Sequence, residues 1–404
     1  MDFSQDRITT LHDLCIDKKF LIKCIEDMSV ERPVALVLPL LYEEFSGDAL
    51  RNIVESLNKL NYLNEVIIPI SARNREEYQE SLNYFSILKH NTLVVWCNGP
   101  GVTYNLRELK EKGIDLTLLY GKGMDVWIAM GIGSLENYAM ILHDGDILTY
   151  DEMLPSKLIF PIIEPELDFY FNKGYYARID LNERTMYGRV YRLFVKPLLN
   201  SFLDVVGYDS RFLQYMCSFR YPLAGDFALT SDLALNMRIP ADWGLEIGIL
   251  TEVYRNTAIK RVCQTDLGIY DHKHREIGKD RTEGLQKMAN DILLTLLRNL
   301  TEIKGIQISK DFLISLGVLY RRHAQDLVRQ YHAESMFNKI NYNRHLEETT
   351  VDLFAKIIVT SGAEYLNEPT GTQIPDWLRV LSAIPTIRKD LKESVIEEME
   401  RFSK

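Results

Sequence analysis

The 404 residues contain no C-x-x-C pair. The five cysteines stand far apart, at 15, 24, 97, 217 and 263, which argues against both a disulfide framework and a zinc-thiolate site. Long hydrophobic runs are missing too: the longest, VALVLPLLY, has about nine residues, against roughly 20 needed to cross a bilayer. The start, MDFSQDRITTLHDL, lacks the basic head and apolar centre of a signal peptide, so a cytoplasmic protein with no membrane partner is expected. Positive charge is scarce, with 47 Lys and Arg against 57 Asp and Glu. The net charge of -10 excludes a general nucleic-acid binder, whose affinity would come from cations neutralising phosphates. Absent as well are GxSxG, HExxH, any Cys-His pairing and the GxxxxGK[ST] phosphate loop, which removes the common hydrolase readings. GIGSLE lacks the third glycine of a dinucleotide fingerprint, and no repeat or low-complexity tract stands out.

What is present has the balance of a folded soluble chain, 46% hydrophobic and 26% charged. Its length suits two domains, or one large α/β domain with an extension. Residues 1–31 read as helical from Leu11, Leu14, Ile22 and Ile25. After Pro33, VALVLPLL (34–41) is apolar on both faces, as a central parallel strand must be. The segments ALRNIVESLNKL, EVIIPIS, REEYQESLNYFSIL and NTLVVWC continue a β-α-β-α-β rhythm, which predicts a parallel sheet with ligands at the carboxyl ends of its strands. LTLLY (116–120) is expected as a further strand, followed by GKG, a helix from Met124, and the short strand AMIL (139–142). The aromatic stretch from 168 reads as a hairpin containing YYARID and a basic strand, GRVYRLF, leading into a helix. RYPLAGDFAL (220–229) reads as a loop because Pro222 and Gly225 interrupt it, and 258–275 as strands. Amphipathic helices fill the chain beyond 281, and their number points to a homodimer. The resulting division is a helical segment 1–31, an α/β part 32–230 and a mainly helical part 231–404.

Chemistry is sought beyond the strand ends. HDGD follows AMIL, and Asp144 and Asp146, one residue apart, can face the same side of an extended segment and offer oxygen ligands to a divalent cation; a polar turn would look the same. In DLGIYDHKHR, His272 and His274 alternate likewise and could ligate a metal or grip an anion, or form a solvated strand end. Lys122 lies between two glycines after the expected strand LTLLY, where backbone and ammonium can approach a phosphate together. Arg189, after Gly188, could bind a carboxylate or phosphate bidentately, or could pair with an acid on a neighbouring strand. Glu246 is a lone acid in the apolar WGLEIGIL and needs a buried partner or a task. A metal carboxylate pair with a basic pocket suits transfer from a phosphate-activated donor.

Taken in order, LVLPLLYEE, GKG, the D-x-D at 144–146, GRVYRLFVKPLL, YPLAGDFA, GLEIGIL and QTDLGIYDHKH resemble the glucosyl-3-phosphoglycerate synthases, retaining GT-A glycosyltransferases of family 81, over roughly residues 34–275. The resemblance implies a GT-A, Rossmann-like α/β fold with a mostly parallel sheet, and a helical C-terminal region that binds acceptor and dimerises. It implies that Pro39, Leu40, Leu41, Glu43 and Ser71 contact the base and ribose of a nucleoside diphosphate sugar. Lys122, Asp144, Gly145, Asp146 and Gly225 would hold the rest of the donor, and Glu246 would lie near the sugar. Asp146 and His272 would bind Mg²⁺ or Mn²⁺; Asp146, Glu246 and Lys122 would carry catalysis. Gly188, Arg189, Tyr191, Trp243, His272 and His274 would line the site for 3-phosphoglycerate. Tyr191, Trp243 and His274 depart from the threonine, tyrosine and asparagine that the family often has there. The implied reaction moves glucose from UDP-glucose, or another such donor, to the acceptor 2-hydroxyl, with same-face attack and the leaving phosphate taking the proton. GDP-mannose as donor, a non-catalytic sugar-nucleotide binder, and nucleotidyl transfer with release of pyrophosphate are the competing readings.

Overall fold

A computed structural model describes residues 3–272, 278 and 283–403. Among them nine strands are assigned: β1 (Thr9–Leu11), β2 (Val34–Val37), β3 (Leu63–Ile70), β4 (Thr92–Trp96), β5 (Ala139–Leu142), β6 (Phe171–Asp180), β7 (Thr185–Met186), β8 (Phe227–Thr230) and β9 (Val262–Tyr270). The sheet order is β1-β9-β6-β8-β5-β2-β3-β4, with β7 paired to β6. Along that path every pairing is parallel except the two made by β8, which runs against both β5 and β6. One reversed strand thus joins two parallel halves.

The doubly apolar pattern of the central strand has a direct cause. All four residues of β2 are fully buried. Ala35 and Val37 pack into one hydrophobic layer, while Val34, Leu36 and Leu38 pack into the other. Alternate side chains leave opposite faces of a strand, so a sheet covered on both sides needs apolar residues at every position. Helices 48–57, 75–85 and 153–163 contribute to one layer, and helices 100–111, 122–133 and 196–206 to the other. The fold is α/β with a mostly parallel central sheet, as expected from the strand rhythm.

Several local expectations differ. Residues 1–31 hold β1 as well as a helix, Lys18–Ser29; β1 forms because Thr9, Thr10 and Leu11 extend the sheet beside β9. LTLLY is not a strand: Leu118 and Tyr120 are exposed, and Asp115 Oδ1 accepts from the Thr117 backbone N–H and hydroxyl, which closes a turn. GRVYRLF is helical, a wide turn over Val190–Val195 running into Lys196–Val206. Its Leu193, Phe194 and Val195 are consecutively buried, which a one-sided hairpin strand would not allow. Within RYPLAGDFAL, the last residues belong to β8. In 258–275, β9 is preceded by a single tight turn, Ile259–Arg261.

Beyond 283 the described chain is helical: Gly284–Lys304, Lys310–Asn338, Arg344–Asn367, Trp377–Ala383 and Ile387–Phe402. The last two return to the early part of the chain. Trp377 stacks on Trp127 with ring centroids 3.9 Å apart, Phe402 meets Tyr78 and Trp96 edge-on, and Glu398 accepts from the Gly101 backbone N–H at 2.6 Å. Among the described residues, no helix is long and apolar enough to cross a membrane.

Candidate active site

Because β2, β3, β5, β6 and β9 run the same way, their carboxyl ends share one edge of the sheet, and the reversed β8 begins at that edge. The pairing of Leu142 with Phe227 therefore sets the residues after β5, His143–Asp146, beside those before β8, Gly225 and Asp226. A Cβ on Gly225 would lie 2.5 Å from Asp144 Oδ2, so the Ala-Gly-Asp motif owes its glycine to the carboxylate that occupies the space. A similar contact joins GKG to the turn before the helix Leu245–Asn256. A Cβ on Gly123 would meet the Pro240 carbonyl at 2.1 Å. That close approach carries Glu246 to Lys122.

Lys122 is the hub. Its Nζ lies 2.5 Å from Asp144 Oδ1 and 3.4 Å from Glu246 Oε1. Burial disfavours the ammonium, but the two carboxylates outweigh it and raise its pKa. Burial likewise pushes the Asp144 carboxyl up, and Lys122 reverses that, holding it below the ordinary value. Both groups are charged at neutral pH.

The second half of the site comes from far downstream. Ile147 bridges His272, the Leu148 N–H donates to the Asp271 carbonyl at 2.8 Å, and the Asp271 N–H donates to Thr149 Oγ1 at 3.1 Å. These bonds bring His272 Nδ1 to 3.6 Å from Asp146 Oδ2. Both side chains are partly open, 15% and 22% exposed, so an ion could reach them. One divalent ion can touch two donors at this separation, since Mg–O bonds are about 2.1 Å. Among the described residues no cluster of three His, Cys, Asp or Glu could hold a metal. A cation here would complete its shell with ligand oxygens and water. His143, in contrast, is fully buried, with Nδ1 3.0 Å from the Asp144 carbonyl and Nε2 3.0 Å from the Tyr150 hydroxyl; burial pushes its pKa down to about 4. It is a neutral brace under the loop.

Of the residues expected to contact the donor, Pro39 and Leu40 follow β2, with the Leu40 N–H bonded to the Pro69 carbonyl at 3.1 Å, while Leu41 is half exposed and Glu43 open to solvent. Ser71 follows β3 and lies 3.2 and 3.3 Å from the Asp125 carboxylate oxygens. Burial pushes the Asp125 carboxyl up to about 6.

Of the residues expected to contact the acceptor, Gly188 has φ +79°, and Arg189 Nε donates to Glu347 Oε1 at 2.8 Å, while the buried Arg192 donates to the other oxygen at the same distance. An ion pair for Arg189 was one sequence reading, although the partner sits on a helix rather than a neighbouring strand. Tyr191 packs edge-on against Tyr221, and Trp243 is half-buried just before the helix that carries Glu246. His274 lies outside the described residues.

Three residues at this edge were not singled out from the sequence. Asp226 is fully buried, accepts from the Tyr270 hydroxyl at 3.0 Å, and is pushed up to about 7 by burial and by the charge on Asp144. Lys173 is 1% exposed, and its Nζ has no hydrogen-bond partner among the described residues. Arg178 lies between Tyr221 and His272, its guanidinium 3.2 Å from the tyrosine hydroxyl and 3.5 Å from His272 Nδ1. The signal for Arg178 was available in YYARID, whose period of two sets it on the same face as Tyr176.

No family model matches the chain. It is 50% identical over 402 residues to a glucosyl-3-phosphoglycerate synthase from Methanococcoides burtonii, covering 100% of this chain and 99% of that protein. It is 37% identical over 378 residues to one from Persephonella marina, covering 93% and 92%. Among solved structures, the fold is similar to that of glucosyl-3-phosphoglycerate synthase from Mycobacterium tuberculosis in complex with Mn²⁺, UDP-glucose and phosphoglyceric acid. That match has a TM-score of 0.55 and 19% identity over 76% of this chain and 90% of that one. Mannosyl-3-phosphoglycerate synthase from Rubrobacter xylanophilus gives a TM-score of 0.54 at 18% identity, over 74% and 83%.

Proposed function

This chain belongs to the glucosyl-3-phosphoglycerate synthases, and we propose that it transfers glucose from a nucleoside diphosphate donor, UDP-glucose foremost, to the 2-hydroxyl of 3-phosphoglycerate. The observation that carries the reading for this chain's own site is the meeting of Asp146 with His272, 3.6 Å apart, beside the Lys122–Asp144–Glu246 cluster. Asp146 and His272 would hold Mg²⁺ or Mn²⁺, as the family resemblance implies. One hard oxygen and one imidazole nitrogen fit such an ion. When bound, the cation supplies positive charge to the diphosphate as it leaves.

The protein's own groups do the rest. Lys122 is a fixed cation at the start of helix 122–133, placed to receive phosphate oxygens alongside the amides of that helix end. Glu246 and Asp144 keep it charged and aim it, and Glu246 can accept from sugar hydroxyls. Pro39, Leu40, Leu41, Glu43 and Ser71 form the base and ribose side at the ends of β2 and β3, where Gly145 lies close against Leu40 and Gly225 against Asp144, so that backbone approaches the donor. Gly188, Arg189, Tyr191, Trp243 and His272 would face the acceptor, and the family resemblance adds His274, which lies outside the described residues. Glu246 and Asp144 are both engaged by Lys122 rather than standing apart as nucleophiles. This favours same-face attack, in which the acceptor proton passes to the leaving phosphate.

We assign residues 231–404 to acceptor binding and subunit contact in a homodimer, working in the cytoplasm. The test of the reaction is a panel of sugar nucleotides, UDP-, GDP- and ADP-glucose and GDP-mannose, assayed with 3-phosphoglycerate and Mg²⁺ or Mn²⁺, before and after chelation. Metal-dependent formation of glucosyl-3-phosphoglycerate with release of nucleoside diphosphate is expected. Transfer confined to mannose, or release of pyrophosphate, would overturn it.

A further inference from the structure

Among the described residues, Arg178 makes no ion pair. Its guanidinium is bordered by Tyr221 and His272, its Nε is buried with no hydrogen-bond partner among the described residues, and Tyr221, Tyr176 and Tyr270 are its electrostatic neighbours. Arg189 and Arg192, by comparison, share the carboxylate of Glu347. Arg178 is half-buried, and a guanidinium drawn partly out of water without a counter-ion is costly, a cost that an anionic ligand completing the pair would offset. Its position says which ligand. Arg178 is in register with Tyr270 on β9, two residues before His272, and a Cβ built on Gly188 would come 3.6 Å from Arg178 Cδ. It therefore stands between the metal-site histidine and the glycine of the GRV motif. Lys122, the cation of the donor side, is instead committed to Asp144 and Glu246.

We propose that Arg178 binds an oxyanion of the acceptor, so that the unpaired cation of β6, rather than Arg189 alone, grips 3-phosphoglycerate. Arg189 then has a second duty, tying the acceptor loop to the helix Arg344–Asn367 through Glu347. The planar guanidinium can hold a carboxylate or a phosphate through two parallel hydrogen bonds, which a lysine cannot reproduce. The inference rests on the reaction proposed above only for the identity of the acceptor.

The experiment compares the wild type with Arg178→Met and Arg178→Lys. KM is measured for 3-phosphoglycerate and for the donor, calorimetric binding for 3-phosphoglycerate and inorganic phosphate, and melting temperature without ligand. For Arg178→Met the acceptor KM is expected to rise about 10-fold to 100-fold, with donor KM within about twofold, phosphate binding weakened and the ligand-free melting temperature unchanged or higher. Arg178→Lys should recover part of the acceptor affinity. Competition by D-glycerate against glycerol 3-phosphate tells which anion is held: the variant loses its response to the one that Arg178 contacts. An unchanged acceptor KM, a rise confined to the donor, or a lowered melting temperature with phosphate binding intact would each overturn the proposal. If the wild type does not turn over 3-phosphoglycerate, the reaction is refuted, and phosphate binding by the wild type against Arg178→Met still decides the role of Arg178.

Discussion

Lys173 sits fully enclosed on β6, over the Phe227 ring at 5.3 Å, and burial lowers its pKa to about 8. In the unfolded chain a lysine titrates near 10.4. Below pH 8 both states carry the proton, so the folded protein bears the full cost of the enclosed charge. Between pH 8 and about 10.4 the folded state loses its proton first, and the cost fades. Lys173→Met is therefore expected to raise the melting temperature at pH 7, with a gain that shrinks as pH rises toward 10; a gain independent of pH would show that packing, not charge, sets it. A second prediction concerns Asp146, whose side chain is 22% exposed and lies 3.6 Å from His272 Nδ1. Asp146→Ala should abolish metal-dependent transfer while the melting curve in the presence of chelator stays within about 0.5 kcal/mol of the wild type, as for open polar positions. Near-normal turnover would remove Asp146 from the metal site.

Among the elements, β8 has the greatest effect on the site. Reversed against its neighbours, it starts where β5 ends, and Gly225 is pressed against Asp144. Gly225→Ala would drive a methyl into that carboxylate. The expected cost is roughly 1–3 kcal/mol of stability, as for overpacking elsewhere, together with a loss of kcat through displacement of the 143–146 loop. Normal kcat would mean that the loop yields without consequence. The strands flanking this region were legible because burial on both faces leaves an unbroken apolar run, as in VALVLPLL and EVIIPI. LTLLY carried the same apolar signal and misled, because nothing in its composition tells that Leu118 and Tyr120 face water. GRVYRLF misled in the opposite way: it reads as a basic strand after the alternating YYARID, whereas a wide helical turn buries several neighbours in succession.

Across the whole molecule, the last two C-terminal helices close back onto the α/β part of the chain. Trp377, fully buried, stacks on Trp127 of the helix that begins at Lys122, and its indole N–H donates to the Trp127 carbonyl at 3.0 Å. Trp377→Ala should cost roughly 3–5 kcal/mol, seen as a lower urea midpoint. A midpoint within error of the wild type would show that the C-terminal return does not support the fold.

Composition and short-range pattern determined the fold class, and they pointed to the edge of the sheet where chemistry is proposed and to Lys122, Asp144, Asp146, Glu246 and His272 as its candidates. These follow from local rules: apolar periodicity, turn chemistry, and the ligand preferences of hard cations. Partnership was decided only in three dimensions. That His272 faces Asp146, that Arg189 is tied to Glu347 while Arg178 makes no ion pair among the described residues, and that a tryptophan near the end braces the helix of Lys122 all depend on contacts between distant segments. A charge on a one-dimensional chain does not reveal its counter-ion, because packing, and not sequence spacing, sets the distances over which charges act.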